Sequence, residues 1–207
     1  MIFYYAPKTV SVAAHIALEE AGASYEARRI DFASTEQRSD NYLKINPKGR
    51  VPALVTSEGV VTEMPAILVY IAQLYPERKL APLNNAFQFA KMQEFNCYLC
   101  ATVHVAHAHK VRGARWVDDP AAIEAMKKKV PQTMNDCFQL IEDGMLQTPW
   151  VLGATYSMAD IYLYTIAQWL EGDGVDINKF PHVADHSRRM HQNTSVQKVL
   201  ALHKAPA

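Results

Sequence analysis

The sequence predicts an α/β domain over residues 1–78 followed by an all-helical domain over 86–207. Two observations carry this. Short strand-like runs at 2–5, 25–30, 51–55 and 60–62 are separated by one helical stretch and by Gly and Pro turn signals, the pattern of a βαβ unit and a hairpin. Beyond residue 85 the apolar residues recur at helical spacing, and no further strand-like run appears. The stretch 78–85, with Pro82 and two asparagines, reads as the linker.

Taken in order, Ile2-Phe3-Tyr4-Tyr5 is the first strand and Ala6-Pro7-Lys8-Thr9-Val10 a loop. An Ala-rich helix covers 11–21, with Ser11 at its N-cap and Gly22 as its C-cap. Residues 25–30 are the second strand, and the intervening helix favours parallel pairing with the first. Residues 35–45 read as a loop or loosely helical arm. Residues 51–55 and 60–62 flank a Glu58-Gly59 turn and form a hairpin. A helix runs from Pro65 to about Tyr75, with Pro76 beyond its end. The second domain contains helices over 86–116, 120–144 (with a bend at Pro131), 158–170 and 182–202.

Composition narrows the function classes. Lys and Arg total 21 and Asp and Glu total 21, so the net charge is zero and nothing global points to nucleic acid. No apolar run is long enough to cross a bilayer. Residues 1–5 lack the charged start and long apolar stretch of a signal peptide. Three cysteines argue against a disulfide framework, and a reducing, cytoplasmic setting is expected.

The chemistry concentrates in Asn46-Pro47-Lys48-Gly49-Arg50-Val51-Pro52-Ala53-Leu54 and Thr62-Glu63-Met64-Pro65-Ala66-Ile67. If the Val51–Pro52 bond is cis, the Val51 N–H and C=O face open space, where an extended peptide can pair with them. If it is trans, Pro52 merely starts an edge strand. A helix opening at Glu63-Met64-Pro65 offers unpaired N–H groups and a positive dipole end to a carboxylate, and Glu63 can accept from a ligand ammonium or simply complement the dipole. Ser11 can cap its helix or donate to a thiolate at the helix end. A thiol of pKa roughly 8.5 needs about 1.4 kcal/mol per unit of depression. One charge-assisted hydrogen bond supplies about 1.5–3 kcal/mol and the helix end about 0.3–1, enough to leave the thiol near half ionised at neutral pH. Tyr5, at the end of the first strand, is a second hydroxyl donor.

These residues resemble the cytosolic glutathione transferases, in particular the bacterial beta-class and theta-like branches. Tyr4-Tyr5-Ala6-Pro7 with Ser11 and His15-Ile16-Ala17-Leu18 resembles the start of a beta-class enzyme, and 46–54 the family's glutathione-binding loop. Residues 63–75 resemble the γ-glutamyl-binding helix, and Leu152-Gly153 through Ser157-Met158-Ala159-Asp160 the helical capping motif. The resemblance implies a thioredoxin-like N-terminal domain, a helical C-terminal domain and a homodimer. It implies glutathione as co-substrate, held by Arg50, the Val51 main chain beside a cis Pro52, Glu63 and Met64, with no permanently bound cofactor or metal. The implied activity is conjugation of the glutathione sulfur to a hydrophobic electrophile, with Ser11 and Tyr5 as catalytic residues.

The chain departs from the family at two positions. Val10 stands where beta-class enzymes carry cysteine, so a mixed disulfide with glutathione cannot form there. Met64 stands where the family has serine, leaving its N–H alone for the carboxylate. Lys48, Arg50 and Arg38 are candidates for the glycyl carboxylate. These departures also support an alternative: a non-catalytic glutathione- or ligand-binding protein, or an adaptor with the same fold.

Ser157 and Asp160 form a reciprocal capping box, with Tyr156 and Ile161 as its hydrophobic staple; the motif serves folding. Cys97, Cys100, His104 and His107 fall on one face of a regular helix, but its ends lie about 15 Å apart, beyond the reach of one tetrahedral ion. The cysteines read as small apolar residues. His104, near the position of a beta-class histidine, and His107 are assigned with Val10 to the electrophile site or, equally, to the helical packing. Arg112-Gly113-Ala114-Arg115-Trp116 either binds an anionic co-substrate or ends its helix with favourable charge.

Overall fold

The structure is a computed structural model that describes residues 1–204; positions 205–207 of the expected helical domain lie outside that range. The chain divides into two compact units. One comprises Met1–Asn85 and the segment from His191 onward, the other Ala86–Met190.

In the first unit, β1 (Ile2–Tyr5), α1 (Ser11–Ala21) and β2 (Glu26–Arg29) form the βαβ unit, with the two strands parallel. Antiparallel β3 (Ala53–Val55) and β4 (Val60–Thr62) complete a sheet of order β2-β1-β3-β4. β3 is shorter than expected, because Val51 and Pro52 stand ahead of the ladder; proline has no N–H to contribute to it. Side chains alternate along β1. The Phe3 ring packs 5.2 Å from His15 of α1, whereas Tyr4 meets Tyr42 at 5.5 Å.

The alanines of α1 let it sit close to the sheet, and Ala13, Ala14, Ile16, Ala17 and Leu18 are buried. Gly22 ends α1 in the left-handed conformation (φ 66°), and the Gly22 and Ala23 N–H groups donate to Glu19 and Leu18 carbonyls. The arm at 35–45 contains a single turn, α2 (Asp40–Leu43), capped by the Ser39 hydroxyl. α3 (Met64–Leu74) buries Ile67, Leu68 and Ile71 and packs on α1.

Gly49 adopts φ 59°, and a Cβ there would lie 2.9 Å from the Gln37 carbonyl oxygen. The left-handed conformation alone costs a non-glycine residue about 1–2 kcal/mol. Gly49→Ala will therefore destabilise the protein by at least about that amount, read as a lower denaturant midpoint. An unchanged midpoint would show that this loop relaxes freely.

The helical unit contains α4 (Ala86–Tyr98), α5 (His104–Arg112), α6 (Pro120–Leu140), α7 (Met158–Ala167) and α8 (Pro181–His191). The predicted 86–116 helix is interrupted by a π-helical turn at Leu99–Val103. Such a turn inserts a residue and rotates the downstream helix by roughly 100°, so Cys97 and Cys100 no longer share a regular face with His104 and His107. α6 runs unbroken through Pro131.

Every residue of α7 is buried, which makes it the central helix of its unit. The expected capping box opens it. Asp160 Oδ2 accepts the Ser157 N–H at 2.8 Å, and Ser157 Oγ accepts the Ala159 N–H at 3.3 Å.

The predicted 182–202 helix is two helices. Asn193 breaks it: its Oδ1 accepts the Ser195 N–H at 2.8 Å and caps α9 (Thr194–Lys204). α9 belongs to the first unit, where it packs on α1.

Candidate active site

The sheet register gathers one set of predicted residues. Tyr4 is opposite Ala53, and Ala53 is opposite Thr62. The end of β1, the Val51–Pro52 step and the start of α3 therefore share one end of the sheet.

The Val51–Pro52 bond is cis. Val51 is held outside the ladder by a buried support. Tyr42 Oη and Asn46 Nδ2 both donate to the Arg50 carbonyl at 2.7 Å. The Asn46 Oδ1 and C=O accept the N–H groups of Lys48 and Gly49. Tyr42 is 2% and Asn46 1% exposed. Burial pushes the Tyr42 phenol up to about 12, so it remains a donor at any physiological pH. Sequence reasoning missed both supports. The Asn-Pro turn was legible, but nothing in it says that the amide turns inward.

Across the groove, α3 begins at Met64, one residue earlier than predicted, with Glu63 preceding it at φ 70°, ψ 129°. A non-glycine residue held there is strained, and such strain gathers at functional sites. The Glu63 side chain does not cap α3; it bonds Lys48 Nζ at 2.5 Å, while Lys48 also donates to Thr62 Oγ1 at 2.6 Å. The Glu63 carbonyl accepts the Ile67 N–H at 3.0 Å, and the Glu63 side chain caps neither the Met64 nor the Ala66 N–H. Met64 is buried. The Arg50 side chain is exposed.

The β1–α1 loop corrects one expectation. Val10, buried and already helical at φ −58°, ψ −20°, is the N-cap residue, and Ser11 is the first residue of α1. Ser11 Oγ turns back into the loop rather than capping forward. It accepts the Ala6 N–H at 3.1 Å, lies 3.0 Å from the Ala6 carbonyl oxygen and 2.7 Å from Thr9 Oγ1. Ser11 is 0% exposed.

Tyr5 is also buried. Its ring lies 5.1 Å from His15 and 4.7 Å from His203, a helix α9 residue. His15 Nδ1 and His203 Nε2 are 2.8 Å apart. Burial lowers the pKa of each to about 4; for His15 Glu19 opposes the fall and Lys198 adds to it, and for His203 the partner His15 and Arg29 add to it. A neutral pair shares one proton, one ring donating and the other accepting.

His104 and His107 lie in the helical unit. The His104 ring is 5.0 Å from Trp169, and His107 stacks on the same indole at 4.2 Å. His107 Nδ1 lies 2.6 Å from Oδ2 of the buried Asp173, with Lys110 Nζ 3.3 Å from Oδ1. Asp173, at the turn after α7, carried no sequence signal.

Comparison with known proteins gives this geometry a lineage. The family model "Glutathione S-transferase, N-terminal domain" matches residues 1–73, and "Glutathione S-transferase, C-terminal domain" matches 120–189. The chain is 28% identical to glutathione S-transferase GstA of Escherichia coli O157:H7 over 204 residues, covering 97% of this chain and 98% of that one. Among solved structures it is similar to a glutathione transferase homolog from Sulfitobacter with bound glutathione, at 41% identity and TM-score 0.95, covering 99% and 98% of the two chains. It is also similar to the bacterial beta-class glutathione S-transferase of Sphingomonas chungbukensis, at 28% identity and TM-score 0.86, with 99% of each chain covered. With a 41% identical relative along nearly its whole length and family models matching both its parts, the chain belongs to the glutathione S-transferase family.

Proposed function

We propose that the protein is a glutathione transferase that conjugates the glutathione thiolate to a hydrophobic electrophile. Glutathione lies extended across the end of the sheet. Its cysteinyl main chain pairs with the Val51 N–H and C=O beside Pro52. Its γ-glutamyl carboxylate meets the first-turn N–H groups of α3 at Met64, and its ammonium meets Glu63. Lys48 and Arg50 offer cations for the glycyl carboxylate. The sulfur sits at the β1–α1 loop that Tyr5, Val10 and Ser11 build, with the carbon backbone of Val10 where cysteine chemistry would otherwise occur. His104 and His107, on the Trp169 face of the helical unit, serve the electrophile.

The Val51 main chain, standing ahead of β3 and next to the Arg50 carbonyl that Tyr42 and Asn46 brace, carries this reading. Met64 does not weaken it, because a main-chain N–H serves whatever the side chain. The family supports a homodimer, and the three free cysteines among the described residues suit a reducing cytoplasm. No helix of the described residues is long and apolar enough to cross a membrane.

Calorimetric titration with glutathione will give saturable binding, and the complex will release halide from a reactive aryl halide. A protein that binds glutathione with no turnover on a panel of electrophiles would be a binding protein instead; absence of binding would overturn the reading altogether.

A further inference from the structure

His107 is fixed by two contacts that leave one of its ring nitrogens free. Its Nδ1 lies 2.6 Å from Oδ2 of Asp173, and its ring stacks on Trp169 at 4.2 Å with 21° between the planes. The Asp173 side chain is 0% exposed and the His107 side chain 24%. The carboxylate is itself held. Lys110 Nζ stands 3.3 Å from Oδ1 and also donates to the Gly172 carbonyl, while the Asp173 N–H donates to the Trp169 and Leu170 carbonyls at 2.9 and 3.0 Å. All of these groups belong to the helical unit.

The chemistry follows from the hydrogens. An ionised carboxylate only accepts, so His107 Nδ1 presents a hydrogen to Asp173 whether the ring is neutral or charged. Nε2, on the far edge of the ring, has no hydrogen-bond partner among the described residues. It is therefore the nitrogen that gains and loses a proton. A tie between α5 and the turn after α7 would be complete with Lys110 alone, which reaches both Gly172 and Asp173. The histidine adds what a tie does not require: a proton carrier of fixed tautomer and fixed plane.

We propose that His107 is a general acid, with Asp173 as its positioning residue, and that it directs the enzyme toward electrophiles whose adducts must take up a proton, namely alkenes conjugated to a carbonyl. The inference deepens, and rests on, the transferase reading in which His104 and His107 serve the electrophile. The thiolate sulfur bonds the β-carbon of the alkene. The alkene pair moves between the α-carbon and the carbonyl carbon, and the carbonyl π pair moves onto the oxygen. His107 Nε2 delivers its hydrogen to that oxygen and leaves the ring neutral, with the remaining hydrogen still on Nδ1 toward Asp173. The enol rearranges to the ketone in water. Glutathione gives one proton to solvent on becoming a thiolate, and solvent returns one to Nε2, so the cycle balances. An aryl halide makes no such demand, because halide leaves with its electron pair and needs no proton.

The test compares kcat on benzylideneacetone with kcat on chlorodinitrobenzene across pH at saturating glutathione. In the wild-type protein the benzylideneacetone profile will fall on the alkaline side as Nε2 loses its hydrogen, and the chlorodinitrobenzene profile will not. His107→Gln keeps a donor for Asp173 and removes the transferable proton. It will lower kcat on benzylideneacetone about a hundredfold more than kcat on chlorodinitrobenzene, and it will abolish the alkaline fall. Asp173→Asn keeps the shape and removes the charge, and it will move the alkaline fall to lower pH; an unmoved profile would make Asp173 purely structural and overturn its part. Should Asp173→Asn fold poorly, His107→Gln decides alone. Equal fractional losses on the two electrophiles, or an alkaline fall that survives in His107→Gln, would overturn the assignment. So would a wild-type protein that converts chlorodinitrobenzene but not benzylideneacetone. Turnover of neither electrophile would instead overturn the transferase reading, and the assignment with it.

Discussion

Asp160→Ala will lower the melting temperature by on the order of 10 °C, with no ligand involved. Asp160 is fully buried and its carboxylate accepts from four donors. Oδ2 takes the Ser157 N–H at 2.8 Å and lies 3.3 Å from Ser157 Oγ; Oδ1 takes the Val151 N–H at 2.8 Å and His186 Nε2 at 3.0 Å. An ionised carboxylate only accepts, so His186 presents its hydrogen on Nε2. Truncation strands these donors in the core around α7, and breaking such a buried network costs about 3–5 kcal/mol. For a chain of this length each kcal/mol is worth about 2–4 °C. Asp160→Asn, which retains the shape but turns a donor toward donors, will recover only part of the loss. Ser157→Ala, which removes mainly the cap, will cost about 1 kcal/mol. A truncation as mild as Ser157→Ala would mean that the network adds nothing to the cap.

Acid will destabilise the first unit well before its carboxylates protonate in bulk. His15 and His203 each have a folded pKa of about 4 against 6.5 when unfolded. Both are held neutral by burial, so the unfolded chain binds more protons than the folded one throughout that interval. The pair's contribution is complete above pH 6.5 and declines as the pH falls toward 4. Each proton is worth about 1.4 kcal/mol per pH unit. Because the rings touch, the first proton taken up discourages the second, which deepens the loss, and the two together amount to several kcal/mol. Denaturant midpoints at pH 7.5, 6 and 5 will trace the fall, and His203→Gln will roughly halve the slope. If the variant has the same slope as the wild type, the proton uptake comes from other groups. Tyr5 packs against both rings, so the same acid step will disturb the end of β1 beside the proposed sulfur site.

Much of the fold was legible because it is local. The β1–α1–β2 unit follows from an apolar run, an alanine-rich helix and a glycine stop; the hairpin follows from its turn; the start of α7 follows from Ser157 and Asp160. The residues proposed to hold glutathione were legible as residue types in order, from Asn46 to Met64. What the sequence hid is long-range or directional. Nothing near Asp160 announces that His186 completes its shell. The π-helical turn after Tyr98 leaves no mark in an apolar pattern that tolerates either period. Asn193 carried a cap signal, but one that a continuous apolar periodicity concealed, so two helices read as one. Ser11 is legible as a hydroxyl near a helix start, although the N-cap position falls to Val10. Its direction was hidden, because a serine one position inside the helix can turn back to the preceding loop as readily as forward.

The partnership of α9 with α1 joins residues 188 positions apart through the His15–His203 contact. During synthesis the amino-terminal half of the sheet unit leaves the ribosome with one flank of α1 uncovered, and it waits for the entire helical unit to be made before its own last helix arrives. Closing so long a loop is a late, slow event, so the unit that is begun first is the last to be sealed.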